Sequence, residues 1–495
     1  MKEWINRCNT THQHTPPIRD CQPTRLIKLL NDEDSGAQLY SPNTPVKFAA
    51  LSYRWGYGKQ SETTKANVFA RFKKLKTSDF PKTLQDAIHI TRRLGLEYIW
   101  IDRICIVQDD KEDWAKEASL MADIYANAYV VLSATATEDC EDGFLQTKVE
   151  PLIFQYKQGD LALCEMRARK VESHECNRLR PKYAYTLFGR GWCMQERFLA
   201  RRIIHFLPDE LLFECQAGRV CECGDAREEN VDYNDRTGFN DFATLQAASS
   251  MEEITFSAKW MSIVRDYSNM ELTYGTDSLP ALSGVAASIE HLKPGKYIAG
   301  LWEHDIALQL GWRHDREPSI IRWTYPENAH ILGPTFSWSS HVRSVLSDTP
   351  VHAQAICELE SFHVKLATTN PYGQVRHASI CLRGFVVLGD DMESCFHTPG
   401  AYARLDSGFI FSHVPGRNDL AFADFLLLRN GISLETVICL GLCEYSRDDL
   451  TYMVEALLLQ PKEDGTGEYV RIGLIRDLDE AWFDKNAVES TVTIV

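Results

Sequence analysis

The stretch from Tyr98 to Tyr129 holds several residues that could do chemistry. Its first half, YIWIDRICIVQ, is almost continuously apolar, which is typical of a strand covered on both faces, yet it contains Asp102 and Cys105. A carboxylate inside such a strand is costly to bury without a partner, so we interpret Asp102 as an anchor for structure or ligand. Cys105 could be a nucleophile if a base such as His89 or His205 activated its thiol. The alternative is a small core residue.

The second half of this stretch has apolar residues at three- and four-residue steps, which predicts an amphipathic helix. Glu117 lies three residues after Trp114, so both side chains should point to nearly the same side of that helix. The Glu117 carboxylate could stabilise an oxocarbenium-like centre, as glycosidic cleavage commonly requires. The alternative is a solvated helix residue paired with a lysine such as Lys111. Glu117, Asp102 and Cys105 are therefore the candidate catalytic residues.

A second group of candidate residues lies at the end of the predicted strand that begins at Lys47. Its members are Tyr53, Arg54, Trp55 and Gly56. Gly56 permits close approach of a ligand to the backbone. The rings of Tyr53 and Trp55 could stack on nicotinamide or adenine, and Arg54 could pair with phosphate. The alternative is an aromatic edge of the core followed by a turn. The chain has no G-x-G-x-x-G dinucleotide motif.

The remaining ligand-binding candidates come from two places in the chain. Arg103 lies within the apolar run that starts at Tyr98, Gln108 ends that run, and Trp114 follows it. Gln195 and Glu196 begin a short predicted helix, where they could close a site or only cap the helix.

A metal site is not expected. Cys215, Cys221 and Cys223, with His205, could bind zinc, but their C-x5-C-x-C spacing lacks the usual C-x2-C pair. We therefore predict no metal ligands in the chain and no certain cofactor.

The secondary-structure elements that must position these residues alternate between strand and helix. Strand, helix, strand, helix and strand are predicted in turn between residues 47 and 135, and the first helix starts with a capping-box pattern at Thr83 and Asp86. Such alternation indicates an α/β fold with a parallel sheet. Because ligands bind beyond the carboxyl ends of parallel strands, we expect residues 53–56 and 102–108 to lie close together.

The length and composition predict several compact parts. A chain of 495 residues is too long for one ordinary core. We divide it into an N-terminal lead-in that wraps the surface (1–45), an α/β core (46–216), an acidic loop plus helical segment (217–320) and a β-rich C-terminal subdomain (321–495).

The net charge of −16 argues against general binding to nucleic acid or anionic membranes, which need a positive field. No membrane span and no signal sequence are predicted. Fifteen cysteines, an odd number, indicate reduced thiols and a cytoplasmic location.

Four segments, taken in order, resemble the heterokaryon incompatibility (HET) domain family of filamentous fungi. They are ALSYRWG (Ala50–Gly56), FPKTLQDAI (Phe80–Ile88), the long stretch Tyr98–Ala128 and RGWCMQE (Arg190–Glu196). Arg103 departs from the family pattern, which usually has a small residue there. The resemblance implies a flavodoxin-like core that is distantly similar to the Toll/interleukin-receptor (TIR) domain.

The resemblance also implies a role in non-self recognition and programmed cell death. Some TIR domains cleave NAD through a glutamate, and Trp114-Ala-Lys-Glu117 resembles their pattern in spacing. NAD is then the expected substrate, and the expected partners are a second copy or another incompatibility protein. Two alternatives stay open. They are a small-molecule enzyme of fungal secondary metabolism and a non-catalytic signalling or interaction module.

Overall fold

The computed structural model divides the chain into two compact units, Met1–Ala243 and Thr244–Val495. It describes residues 1–14, 21–30, 36–56, 61–145, 152–156, 164–168, 186–224, 238–251, 255–314, 333–340, 345–347, 352–388, 402–405, 410–412, 436–448 and 451–495. Much of the acidic loop predicted after residue 217 lies outside these ranges.

The first unit is built on an eight-stranded mixed sheet. Its helices are α1 (Lys2–Thr11), α2 (Val68–Lys73), α3 (Lys82–Leu94), α4 (Asp102–Cys105), α5 (Lys111–Asn127) and α6 (Gly191–Phe198). Its strands are β1 (Leu26–Leu29), β2 (Ala37–Tyr40), β3 (Phe48–Ser52), β4 (Tyr98–Trp100), β5 (Val130–Ser133), β6 (Leu152–Tyr156), β7 (Cys164–Ala168), β8 (Arg202–Phe206), β9 (Leu211–Cys215) and β10 (Gly218–Cys221). A further helix, α7 (Gly238–Ala247), spans the division between the units.

The strand order of this sheet is β10-β9-β8-β5-β3-β4-β1-β2, and β6 pairs with β7 in a separate ladder. Strands β4, β3, β5 and β8 run parallel, with Ala49 opposite Ile99 and Leu132 opposite Ile204. The parallel core of an α/β fold is thus confirmed. Strands β3 and β5 are buried along their whole length, as a sheet covered on both faces requires.

Two features of this unit differ from the sequence predictions. The apolar run after Tyr98 leaves the sheet at Trp100 and turns into the short helix α4, so Asp102 does not lie inside a strand. The periodicity of an apolar run of this length does not distinguish a strand from a buried helical turn. The N-terminal lead-in, for which the sequence predicts one short strand or helix at residues 24–30, supplies two strands, and β1 pairs with β4 as an inner strand of the sheet.

The second unit is mainly helical at its start and mainly β-strand towards its end. Its helices are α8 (Phe256–Ser268), α9 (Ser283–Ser288), α10 (Ile306–Gln309) and α11 (Glu480–Asn486). Short strand pairs are β11 (Tyr297–Ile298) with β12 (Leu301–Trp302) and β13 (Trp312–His314) with β14 (Val345–Ser347). A nine-stranded sheet follows, made of β15 (Gln354–Ala355), β16 (Cys357–Leu366), β17 (Val375–Val387), β18 (Tyr402–Leu405), β19 (Ile410–Ser412), β20 (Ile438–Asp448), β21 (Thr451–Pro461), β22 (Glu468–Asp479) and β23 (Val488–Ile494).

The β-rich C-terminal region is therefore confirmed. Within the described parts of the chain, no helix is both long enough and apolar enough to cross a membrane.

Candidate functional site

Six polar residues gather where the parallel strands of the first unit end. Ser52 is the last residue of β3, Tyr53 follows it, and Asp102 starts the turn after β4. Arg190 directly precedes α6, and Cys193 and Glu196 lie within that helix. We call these six residues the sheet-edge cluster. The guanidinium Nη1 of Arg190 donates to the carbonyl oxygen of Tyr53 at 2.6 Å, and the Ser52 hydroxyl lies 3.9 Å from the Cys193 sulfur. The cluster thus joins two of the family-like motifs in space.

Glu196 is the titratable centre of this cluster. Its side chain is 7% exposed, and burial raises the pKa of its carboxyl to about 7, while the Ser52 hydroxyl and the charge of Arg190 oppose that rise and Asp102 adds to it. Its Oε2 has no hydrogen-bond partner among the residues that the structure describes. At neutral pH this carboxyl is therefore present in both protonation states, as a general acid or base requires.

Asp102 anchors the loop after β3. Its Oδ2 accepts a hydrogen bond from the indole N–H of Trp55 at 2.7 Å, and its Oδ1 accepts from the backbone N–H of Arg103 at 2.6 Å. The Asp102 charge also contributes to raising the pKa of Tyr53, although burial is the larger cause. These contacts fit the predicted anchoring role, with Trp55 as a structural neighbour.

Arg103, a predicted ligand-binding residue, contacts the protein itself. Its side chain is fully buried. Its Nη2 donates to the Trp55 carbonyl at 2.8 Å, its Nη1 lies 3.3 Å from the sulfur of Cys140, and its guanidinium lies 4.7 Å from the centre of the Trp55 ring. Arg103 therefore holds the Trp55 loop in place, which explains a large cation at a position where the resembled family usually has a small residue.

Gly56 occupies a position that no other residue fits well. Its φ is +72°, in the left-handed region, and a Cβ there would collide with the carboxylate of Asp139. Because Gly56 has no side chain, the Asp139 carboxylate can lie close to its backbone.

Replacing Gly56 by alanine should therefore lower the free energy of unfolding by about 2–3 kcal/mol, because backbone strain and the collision add. Gly95 is the matched control, since it has φ +85° and nothing within 4 Å of a built Cβ. Gly95→Ala should cost only about 1 kcal/mol. Urea denaturation of both variants measures the difference, and equal losses would contradict the role given to Asp139.

Glu117 has contacts different from those of the sheet-edge cluster. It is fully buried, and its Oε1 is 3.5 Å from Nη2 of Arg25. Burial raises the pKa of its carboxyl, and Thr24 and the charge of Arg25 oppose that rise. The interpretation as a solvated helix residue is therefore wrong. Trp114 is 42% exposed, so the two residues do not share an environment as their spacing predicted.

Cys105 does not have the surroundings of a nucleophile. Its thiol is fully buried, and burial raises its pKa to about 12. Of the two proposed bases, His89 is exposed and His205 lies beside Glu214, with 3.8 Å between Nε2 and Oε2. The geometry therefore supports the core interpretation of Cys105.

The other predicted ligand-binding residues have varied environments. Gln108 donates from Nε2 to the Asp102 carbonyl at 3.1 Å, which closes the α4 turn. Gln195 is fully buried on α6, and Arg54 is half-buried.

Sequence reasoning did not select Ser52, Arg190 and Cys193 as site residues. All three lie within segments already singled out, LSYRWG and RGWCMQE. The signal that could have identified them is the position of each motif, which lies where a helix or strand ends or starts at the carboxyl edge of the sheet.

Comparison with known proteins supports the resemblance to the HET family. Residues 48–196 match the family model described as Heterokaryon incompatibility protein (HET), and this range contains all four motifs. The chain is also 36% identical over 95 residues to Heterokaryon incompatibility protein 6, OR allele, of Neurospora crassa. That alignment covers 18% of this chain and 14% of the relative's length. No solved structure matches the chain.

Proposed function

We propose that this chain is a HET-domain protein that acts in fungal non-self recognition, and that it does so by cleaving NAD at the nicotinamide bond. The observation that carries the chemistry is the buried Glu196, which has a pKa of about 7 and an Oε2 without a partner among the described residues. The family match and the name of the Neurospora crassa relative support the biological role. The proposed kinship with TIR domains, drawn from the sequence resemblance, supports the choice of NAD.

Hydrolysis of NAD breaks the bond between the nicotinamide nitrogen and C1′ of the ribose. The nitrogen takes the bonding electron pair and leaves as neutral nicotinamide, so the leaving group needs no proton. The ribose becomes oxocarbenium-like, and a nearby carboxylate stabilises that positive charge. In this proposal the ionised Glu196 supplies that charge and accepts a proton from the attacking water.

The neighbours of Glu196 suit an anionic nucleotide. Arg190 keeps a guanidinium charge beside the carboxyl, and its pKa is raised despite burial because Cys193, Glu196, Asp102 and Tyr53 favour the charged form. A guanidinium is well matched to phosphate oxygens. The Trp55 ring lies in the loop after β3, where Asp102 and Arg103 hold it. Glu117, whose Oε1 lies 3.5 Å from Nη2 of Arg25, takes a structural role in the proposal.

The direct test is to incubate the purified full chain with NAD and to follow nicotinamide and ADP-ribose by chromatography. We expect equal amounts of the two products. The protein is assayed over a range of concentrations, because activity could depend on self-association. Absence of nicotinamide at every concentration, from protein with native circular dichroism, contradicts the catalytic proposal and favours the non-catalytic module.

The biological role has a separate test. Expression of the wild-type chain in a filamentous fungus should reduce colony viability, whereas expression of Glu196→Gln at the same level should not. Equal viability with both would contradict the link between this site and cell death.

A further inference from the structure

Four side chains with metal-ligating atoms converge at one end of the N-terminal helix, away from the sheet-edge cluster. Cys8 lies in the last turn of α1, and His12 caps the end of that helix four residues later. His14 follows in the extended chain, and Cys215 is the last residue of β9. The spacing Cys8-x3-His12 places two ligands on one face of the helix end, and the fold adds the fourth from a strand about two hundred residues later.

The distances between these atoms fit a metal site. The Cys8 sulfur is 3.4 Å from Nε2 of His14, and the Cys215 sulfur is 3.2 Å from Nδ1 of His12. All four ligand atoms lie within 4.8 Å of one another. Zinc–sulfur and zinc–nitrogen bond lengths in a tetrahedral site place ligand atoms about 3.3–3.8 Å apart.

The surroundings favour an ion that is held by thiolates. Cys8 and Cys215 are buried, and the two histidines are half-buried. The guanidinium Nε of Arg202 donates to the Cys8 sulfur at 3.3 Å. Such a contact from outside the ligand set orients and charge-balances a metal-bound thiolate.

We infer that Cys8, His12, His14 and Cys215 bind one Zn²⁺ in a closed tetrahedral site. Two thiolates and two neutral imidazoles neutralise the ion and leave no open position, which is the arrangement of structural zinc sites. This inference differs from the prediction of no metal, which considered Cys215 only with Cys221, Cys223 and His205. The proposed partners lie far away in sequence, near the N-terminus.

The site fixes the N-terminal helix to the antiparallel side of the first sheet. Ring packing supports the same attachment, because the ring centres of Trp4 in α1 and Phe213 in β9 are 6.3 Å apart. Ile5 of α1 is also buried in the main core. Zinc binding would add its free energy to that of folding. The zinc site is therefore structural, and its loss should not be read as loss of chemistry at Glu196.

The test is to purify the full chain with a non-thiol reductant and without chelator, to supply zinc, and to measure bound metal by mass spectrometry. We expect one zinc per chain. The cobalt-substituted protein should show the absorption of tetrahedral Co²⁺ with thiolate ligands. Cys8→Ser and His14→Gln should each weaken zinc binding by at least about 100-fold. His89→Gln, a change of the same kind at an exposed residue, should leave it unchanged.

Two results would overturn the assignment. One is wild-type protein that takes up neither zinc nor cobalt while its thiols titrate as free. The other is metal that is retained in Cys8→Ser and His14→Gln but lost in Cys223→Ser, which would place the ion at the second group of potential ligands, Glu210, Cys221 and Cys223. Circular dichroism and binding of zinc to chelator-treated protein separate loss of the ligand from loss of the fold.

Discussion

Glu196→Gln should reduce the rate of nicotinamide release by at least about 100-fold, the usual loss when a general acid or base is removed. Glutamine keeps the volume of the side chain and one acceptor oxygen, but it cannot carry charge. The carboxyl it replaces is buried, has a pKa of about 7 and lies beside Arg190 and Ser52. If charge stabilisation of the ribose is its task, the loss should appear in kcat more than in KM.

Two further Glu→Gln substitutions test whether this loss is specific to Glu196. Glu112 is exposed in the first turn of α5, and Glu112→Gln should keep wild-type activity. Glu117→Gln tests the residue that the sequence favoured. We expect it to keep turnover within a few-fold of wild type once folded protein is quantified. A loss in Glu117→Gln that equals the loss in Glu196→Gln would contradict the assignment to the sheet-edge cluster.

Arg25→Met should lower the free energy of unfolding by about 3–5 kcal/mol, because it leaves buried charge without a partner. Arg25 is 9% exposed. Its Nη2 is 2.5 Å from the Asp113 carboxylate and 3.5 Å from Glu117, and its Nε donates to the Cys105 carbonyl at 2.6 Å. One side chain thus ties α5 and the turn after β4 to the segment before β1.

Urea denaturation measures this loss. Arg93→Met, at an exposed position of α3, is the control and should change stability by less than about 0.5 kcal/mol. Adding Glu117→Gln to Arg25→Met removes one uncompensated carboxylate, so the double variant should recover part of the loss. A double variant that is less stable than Arg25→Met alone would show that Glu117 is held by contacts other than this cation.

Most of the parallel core could be predicted because its signals are local. The apolar strands β3 and β5 and the amphipathic helix α3 each have a clear period. The predicted capping box is wrong, because Pro81 occupies the N-cap without a side-chain cap and the Asp86 carboxylate accepts instead from the backbone N–H groups of Phe144 and Leu145. Strands β1 and β2 are short and lie among polar residues, so the chain gives little sign that they complete the sheet. Their place depends on pairing with a strand about seventy residues away.

The chemistry was harder to predict because it depends on contacts between distant segments. Nothing beside Glu196 in the chain indicates that burial against Ser52, Arg190 and Asp102 sets its pKa. The helix period placed Trp114 on the buried face, but Arg25 allows the carboxylates of Asp113 and Glu117 to occupy that face instead. The four proposed zinc ligands are likewise assembled only by the fold.

The pH dependence of nicotinamide release is the most direct test of the role given to Glu196. The ionised form is the active one, so kcat/KM should fall as the pH drops through about 7, the pKa of this buried carboxyl in the free protein. The profile should be measured over about two pH units on either side of neutrality. We expect an acid limb with its midpoint near 7 in the wild type and no such limb in the residual activity of Glu196→Gln. The same limb in both proteins, or no release by the wild type at any pH, would contradict that role.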